Sequence, residues 1–351
     1  MKDSPLPDDA SVDDRRLARV ERVLRTLGKS DLDEVEVDRG HDVGRVSIVH
    51  GSSAQVIWCD HDGHEHVSTC QYATNLNLRP VAGDWVALRD EYVVSVLTRR
   101  NSLRRPDPNL RDVQVLAANL DLVLLVVPID RGLNVRMLER FAVMAFDSGA
   151  RPMVVLTKAD STSDATALEI QTELAVPGVD ILTTSSLSGE GIEQLRDLLH
   201  EGVTAVMLGA SGAGKTSLLN ALEGSDEATL SVGSSGEGRH ATTTRKLYRL
   251  SSGGVLLDIP GIRLVDLMSG QEGIDETFAD ITQIAQRCRF RDCAHNGDEG
   301  CAVEAAVLSG VLAAGRLKSW RLIQSQLTSH SRRRDPSAAA AKRARRRRSG
   351  D

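Results

Sequence analysis

The sequence predicts three folded parts in a row. These are a small closed β-barrel, a parallel α/β sheet covered by helices on both faces, and a helical module around a Cys/His cluster. Three observations carry this reading. Between Arg39 and Leu97 five short runs of alternating polarity are separated by turn signals. From Val113 near-continuous Val/Leu/Ile runs alternate with helix-like stretches. After Met268 the pattern turns helical and encloses three cysteines and a histidine within fourteen residues.

The barrel runs are GRVSIV, AQVIWC, HEHVSTC, GDWVALRD and YVVSVL, with turns at Gly51-Ser52, Asp62-Gly63 and Ala82-Gly83. Side chains of a strand alternate between faces, so such runs have one buried face. Five in roughly sixty residues predict an OB-like barrel over 38–100. Residues 1–37 are polar and charged, with one amphipathic patch at Leu17, Val20, Val23, Leu24 and Leu27. They read as a flexible arm containing a short helix. The basic stretch TRRNSLRRPDPNLR (98–111) reads as a linker.

The α/β part is expected over 112–268. Its strands are LDLVLLVV, RPMVVL, DILTTS, TAVMLG and GGVLLDIP; its helices include VRMLERFAVMAFDSG, ATALEIQTEL, GIEQLRDLLHEG and GKTSLLNALEG. Strands apolar on both faces belong to a parallel sheet buried between helices. The helical module is expected over 269–330, with GCAVEAAVLSG and RLKSWRLIQSQL its clearest helices, followed by a disordered basic tail over 331–351.

Composition suits a soluble globular chain, 41% hydrophobic and 26% charged. No apolar run reaches the ~18 residues of a membrane span, and the N-terminus lacks the apolar core of a secretory signal. A cytoplasmic protein acting as a monomer is expected. The net charge of −6 is uneven: the tail carries nine Lys/Arg against two Asp, on an acidic body. That asymmetry points to a polyanionic partner, or to a solvated end that keeps the chain soluble.

The chemistry concentrates in five segments. GASGAGKT (209–216) fits the phosphate-loop pattern between a strand and a helix. Gly209, Gly212 and Gly214 let backbone N–H groups turn onto phosphates, with Ala210, Ser211, Ala213 and Ser217 completing the loop. Lys215 supplies a point charge for the terminal phosphates, and Thr216 a hydroxyl for Mg²⁺. VLTKAD (155–160) ends a buried strand at the carboxyl edge of the sheet, where ligands bind. There Thr157, Lys158 and Asp160 would read guanine, Asp160 accepting from ring N–H groups that adenine lacks. TSSLSGEGI (184–192) ends the next strand and places Ser185 and Ser186 at the base. GRHATTTRKL (238–247) offers hydroxyls after a Gly-rich run, and VLLDIPG (255–261) offers Asp258 near Mg²⁺ and Gly261 near the γ-phosphate. The base-reading segments precede the phosphate loop, so the order is circularly permuted. All five sit at one edge of the sheet, and the site needs strand adjacency rather than chain order.

Cys288, Cys293, His295 and Cys301 stand at Cys-x4-Cys-x-His-x5-Cys. Three thiolates and an imidazole suit one closed, tetrahedral structural Zn²⁺ site. CDHDGHEH (59–66) reads as a hairpin with alternating exposed histidines rather than a second metal site. Trp58, Trp85 and Tyr92 stack on RNA bases or pack in the core, core packing being favoured for at least two of them. Arg99, Arg100, Arg104 and Arg105 meet nucleic-acid phosphates or only solvent.

From about Arg39 to Leu327 the chain resembles the ribosome small subunit-dependent GTPase A (RsgA, or YjeQ) family of circularly permuted bacterial GTPases. GDWV, QVLAANLDLVLLV, TKAD, GASGAGKTSLLN, GRHATTT, DIPGIR and CRFRDCAHNGDEGCAV carry the resemblance. It implies an OB domain, a permuted P-loop GTPase and a zinc domain. It also implies GTP binding with Mg²⁺, binding of the small (30S) ribosomal subunit and its 16S rRNA, a part in late maturation, and ribosome-stimulated hydrolysis to GDP. Thr242 is then the switch ligand for Mg²⁺ and γ-phosphate, with Thr243 the alternative. Where Ras-like enzymes carry a catalytic Gln this chain has Ile262, and the resemblance suggests His240 as the catalytic residue. Thr157 stands where the family has Asn. Two other readings compete: an ATPase, against which Asp258 is followed by Ile259 rather than Glu, and an RNA-binding P-loop protein using nucleotide as a structural ligand.

Overall fold

The computed structural model describes residues 21–28, 41–60, 64–106, 113–224, 246–259 and 270–334. Five strands form the barrel: β1 (Asp42–His50), β2 (Ser53–Cys59), β3 (Glu65–Tyr72), β4 (Trp85–Arg89) and β5 (Tyr92–Val96). They run in the order 1-2-3-5-4 and close through β1–β4, with β3 and β5 parallel. This is the OB-like barrel that the alternation predicts. Its inward residues Val46, Val56, Val86 and Val93 are fully buried. A bulge in β1 between Val46 and Ile48 lets the strand bend away from β4, which it leaves after Arg45, while it stays paired with β2.

The stretch expected as a linker is partly a strand. β6 (Ser102–Pro106) pairs antiparallel with β7 (Val113–Ala118). The charge of RRNSLRR hides it, because three of its arginines bond to other side chains of the fold. Arg99 forks onto Asp84 at 2.7 Å through both nitrogens, Arg100 meets Asp121 at 2.6 Å, and Arg105 meets Gln114 at 2.8 Å.

The α/β sheet is β10–β9–β8–β11–β13–β12. β8 (Leu122–Pro128), β9 (Arg151–Thr157), β10 (Asp180–Thr183), β11 (Thr204–Leu208) and β13 (Val255–Asp258) are parallel. β12 (Lys246–Arg249) is antiparallel to β13 and meets β1 at Ile48–Lys246, so barrel and sheet share an edge. α2 (Val135–Asp147), α3 (Ala165–Ala175), α4 (Ile192–Leu198) and α5 (Lys215–Glu223) cover the faces. Two apolar clusters, one containing Phe141 and Val127 and the other Leu218 and Val126, flank the sheet. The C-terminal module is α6 (Gln271–Thr277), α7 (Ala279–Ala285), α8 (Ala302–Leu308) and α9 (Ala314–Arg334).

Part of the predicted arm is packed rather than free. A helix, α1, covers 21–26, and Leu24 and Leu27 are buried in the core between barrel and sheet. The buried Arg45 holds the end of this segment. It donates to the carbonyls of Leu27, Gly83 (3.3 Å) and Asn119 (3.2 Å) and to Thr204 Oγ1 (2.8 Å). Its guanidinium also lies 5.0 Å from the Trp85 ring. The rest of the arm, and 335–351 of the basic tail, lie outside the described residues; α9 runs on to Arg334.

Candidate functional site

The base-reading segment begins at Thr157, the last residue of β9. Thr157 is buried, and its hydroxyl donates to the Ala213 carbonyl of the phosphate loop at 2.6 Å. The residue that departs from the family pattern therefore ties the two nucleotide loops together through its hydroxyl. Lys158 sits in the left-handed region at φ 64, a conformation that costs a non-Gly residue energy and marks a constrained site. Its Nζ pairs with Asp130, just past β8, at 2.9 Å. Asp160 follows in a single 3₁₀ turn, Ala159–Ser161.

Ser185 holds the Asp160 carboxylate in place. Its buried hydroxyl donates to Asp160 Oδ1 and accepts from the backbone N–H groups of Leu187 (3.2 Å) and Ser188 (3.1 Å). Ser161 donates to the other carboxylate oxygen at 3.0 Å. These hydrogen bonds, with Ser185 the largest cause, lower the pKa of Asp160 and keep it ionised. Ser186 is half-buried in the same loop.

Thr183 pairs in register with Leu156, and Leu208 with Leu125. The strand ends therefore bring base loops and phosphate loop to one edge. The loop runs from Gly209 to the start of α5. A Cβ on Gly209 would come within 2.6 Å of the Val126 carbonyl, and Gly212 and Gly214 have φ of +77 and +95. These positions require glycine for space in the first case and for backbone conformation in the others. Lys215 Nζ lies against the Gly209 and Ala210 carbonyls, at 2.8 and 3.1 Å. Burial lowers the pKa of Lys215, and Asp258 opposes that.

Asp258 ends β13 with Oδ1 buried and without a hydrogen-bond partner among the described residues. Burial raises its pKa, with Lys215 opposing. A buried carboxylate oxygen left unsatisfied near Lys215 fits a site for Mg²⁺ with a nucleotide phosphate. His240, Thr242, Thr243, Gly261 and Ile262 lie outside the described residues.

The second site is the Cys/His cluster. The ligand atoms of Cys288, Cys293, His295 and Cys301 all lie within 4.8 Å of one another. A tetrahedral Zn²⁺ with thiolates at about 2.3 Å needs sulfurs about 3.8 Å apart, so the cluster fits. The backbone N–H groups of Ala302 and Glu304 point at the sulfurs of Cys288 (3.3 Å) and Cys301 (3.4 Å). Burial lowers the His295 pKa, favouring the neutral imidazole that a metal takes. The cluster could hold a metal; among the described residues the other Cys/His string does not gather in that way. There Asp60 pairs with His66 at 2.9 Å and His64 at 3.3 Å across a β2–β3 hairpin whose tip, 61–63, is not described. Trp58 is half-buried and Trp85 buried, while Tyr92 is exposed.

A family model described as RsgA GTPase matches residues 96–268. A small ribosomal subunit biogenesis GTPase RsgA of Streptomyces coelicolor is 42% identical over 296 residues, 81% of this chain and 80% of that one. The chain belongs to the RsgA GTPase family. The RsgA of Streptomyces avermitilis is 45% identical over 251 residues, covering 68% and 67%. Among solved structures, YjeQ from Thermotoga maritima superposes with a TM-score of 0.60 at 26% identity, over 82% of this chain and 99% of that one. YloQ, a circularly permuted GTPase, gives 0.59 at 23% identity, over 84% and 97%, a likeness of fold.

Within this RsgA fold, sequence reasoning missed Asp130, Ser161 and the hydroxyl bridge from Thr157. Asp130 had a readable signal: an acid just past a buried strand at the same sheet edge as TKAD. The Thr157 contact spans 56 residues and left no local trace.

Proposed function

We propose that the chain is a GTP hydrolase that binds the small ribosomal subunit and its 16S rRNA in late maturation, with turnover stimulated by that subunit. The observation that carries this is the junction of Thr157 with Ala213, where base-reading and phosphate-binding loops meet at one sheet edge. The RsgA names of the Streptomyces relatives supply the biological setting.

In this reading Asp160 accepts from the guanine ring N–H and amino groups, oriented by Ser185, while Lys158, braced by Asp130, lies along the base. The Ser186 backbone N–H meets the base carbonyl. The loop Gly209–Ser217 wraps the phosphates, and Lys215 moves from the loop carbonyls to their oxygens. Bound Mg²⁺ would neutralise charge that develops between the terminal phosphates; Thr216 and Thr242 would hold it, with Asp258 behind them and Gly261 at the γ-phosphate. His240 orients the attacking water. The metal of the Cys288–Cys301 cluster is Zn²⁺, and its role is structural. The parts are 38–100, 112–268 and 269–330, in a monomeric cytoplasmic protein.

Phosphate release measured with GTP or ATP, with and without small ribosomal subunits, tests this. GTP turnover that rises severalfold with subunits and is not competed by ATP is expected. Equal use of ATP, or no stimulation, overturns it.

A further inference from the structure

Lys158 has a partner that reading guanine does not by itself require. Its Nζ lies 2.9 Å from Asp130 Oδ2, and both side chains are partly exposed. The fold fixes the backbone on each side of this pair. Pro128, the last residue of β8, stands in register with Thr157, and the Ile129 N–H donates to the Thr157 carbonyl at 3.0 Å. Ile129 is buried, and the Gly132 N–H closes a turn onto its carbonyl at 3.3 Å, with Asp130 inside the turn. On the other side the Ala159 N–H donates to the Thr184 carbonyl at 3.2 Å, and the Ser161 N–H to the Lys158 carbonyl at 3.0 Å. The pair is thus set by the fold, and only its side chains can break it.

A partly exposed ion pair adds little to folding stability. What this one restricts is Lys158. A lysine carries much side-chain entropy, and ordering it at the moment of binding weakens the complex. Asp130 orders it beforehand. It also gives the ammonium a carboxylate other than Asp160, two residues on, whose oxygens the base needs. Lys158 is near enough for its charge to help lower the Asp160 pKa. Lys215, at the same sheet edge, makes the contrast. It folds back onto the carbonyls of its own loop and has to leave them to meet a phosphate. Lys158 is held instead by the end of β8, which lies between the strand of the base loop and the strand of the phosphate loop. The hydrogen bond from Lys158, the largest cause, lowers the Asp130 pKa and keeps this partner charged.

We propose that Asp130 is a positioning residue of the nucleotide site, which holds Lys158 ready along the base and thereby sets the lifetime of bound guanine nucleotide. The inference rests on the guanine site proposed above. In this role Asp130 makes no contact with the nucleotide and acts only through the Lys158 ammonium.

The test uses the full chain and GDP. Release of fluorescently labelled GDP into excess unlabelled GDP is followed by stopped flow. The variants are Asp130→Ala and Asp130→Asn, the second of which removes the charge and keeps the shape. Each should release GDP about fivefold faster, with the melting curve of the nucleotide-free chain unchanged. The same substitutions made on Lys158→Met, which keeps the apolar stem and drops the ammonium, should change release by less than twofold. A merely structural role for Asp130 would persist on that background. Less than twofold acceleration in both Asp130 variants overturns the proposal, and so does an undiminished effect on Lys158→Met. Competition between GDP and ADP for the wild type tests the underlying reading separately. Equal affinity removes the guanine assignment, while the coupling of Asp130 to Lys158 is still measured on either nucleotide.

Discussion

Two buried arginines hold the three parts of this molecule together, and they do it differently. Arg45, at the seam of barrel, α1 and sheet, is met only by carbonyls, one hydroxyl and a ring. The nearby acids Asp84 and Asp121 are already engaged by Arg99 and Arg100. Burial therefore pushes its pKa down to about 9. Arg316, at the seam between sheet and helical module, is ion-paired on two sides. It meets Glu139 of α2 at 3.0 Å and forks onto Asp280 of α7 at 2.8 and 2.9 Å, and it also donates to the Ala175 and Thr277 carbonyls. The first seam buries a charge among dipoles; the second buries a charge with its opposite. Removing a member of each should therefore have unequal effects.

The largest effect is expected at the second seam. Arg316→Ala leaves Glu139, whose side chain is 1% exposed, buried and unpaired, which costs about 3–5 kcal/mol. The midpoint of denaturant unfolding should fall accordingly, and adding Glu139→Leu should recover much of the loss. At the first seam, Arg45→Met removes donors from three carbonyls but also takes away an unpaired buried charge. A loss of about 1–3 kcal/mol is expected. If Arg45→Met costs as much as Arg316→Ala, the distinction between the seams fails.

The smallest effect sharpens the second seam through pH. Asp147, at the end of α2, accepts from the backbone N–H groups of Gly270 and Gly273 at the start of α6. Burial, outweighing these bonds, raises its pKa to about 6. The folded pKa lies above the ordinary value, so the protonated form is favoured in the fold. Its stabilising contribution is complete below about pH 4 and is lost as pH rises through about 6. Melting temperature against pH should thus fall more steeply across that window in the wild type than in Asp147→Asn. Identical slopes would show that this carboxyl does not titrate in the fold.

Those two glycines also show where the sequence was readable and where it was not. In the run GQEG (270–273) both glycines answer a packing need that the sequence does not announce. A Cβ on Gly273 would come within 2.4 Å of the Val143 carbonyl, and one on Gly270 within 2.8 Å of Asp147. The barrel, the α/β order, the phosphate loop and the Cys/His cluster were legible because each depends on local period or spacing. Arg45, β6 and the Arg316–Glu139 pair were not. Arg45 looks like any polar residue in an alternating strand, and β6 looks like a solvated charge run. Arg316 and Glu139 stand 177 residues apart, so nothing local marks them as partners. In the candidate site the base reader was legible as a motif, while the use of Thr157 as a bridge was visible only once the loops were placed.

The shared edge between β1 and β12 has a consequence for cutting the chain. In the intact protein β12 is flanked by β13 on one side and by the barrel on the other. Strand edges left open recruit other strands. An α/β fragment cut free before Val113 would present the backbone groups of β12 to solvent and would be prone to self-association. The barrel thus covers that edge through the Ile48–Lys246 pair, and barrel and sheet are expected to express better together than apart.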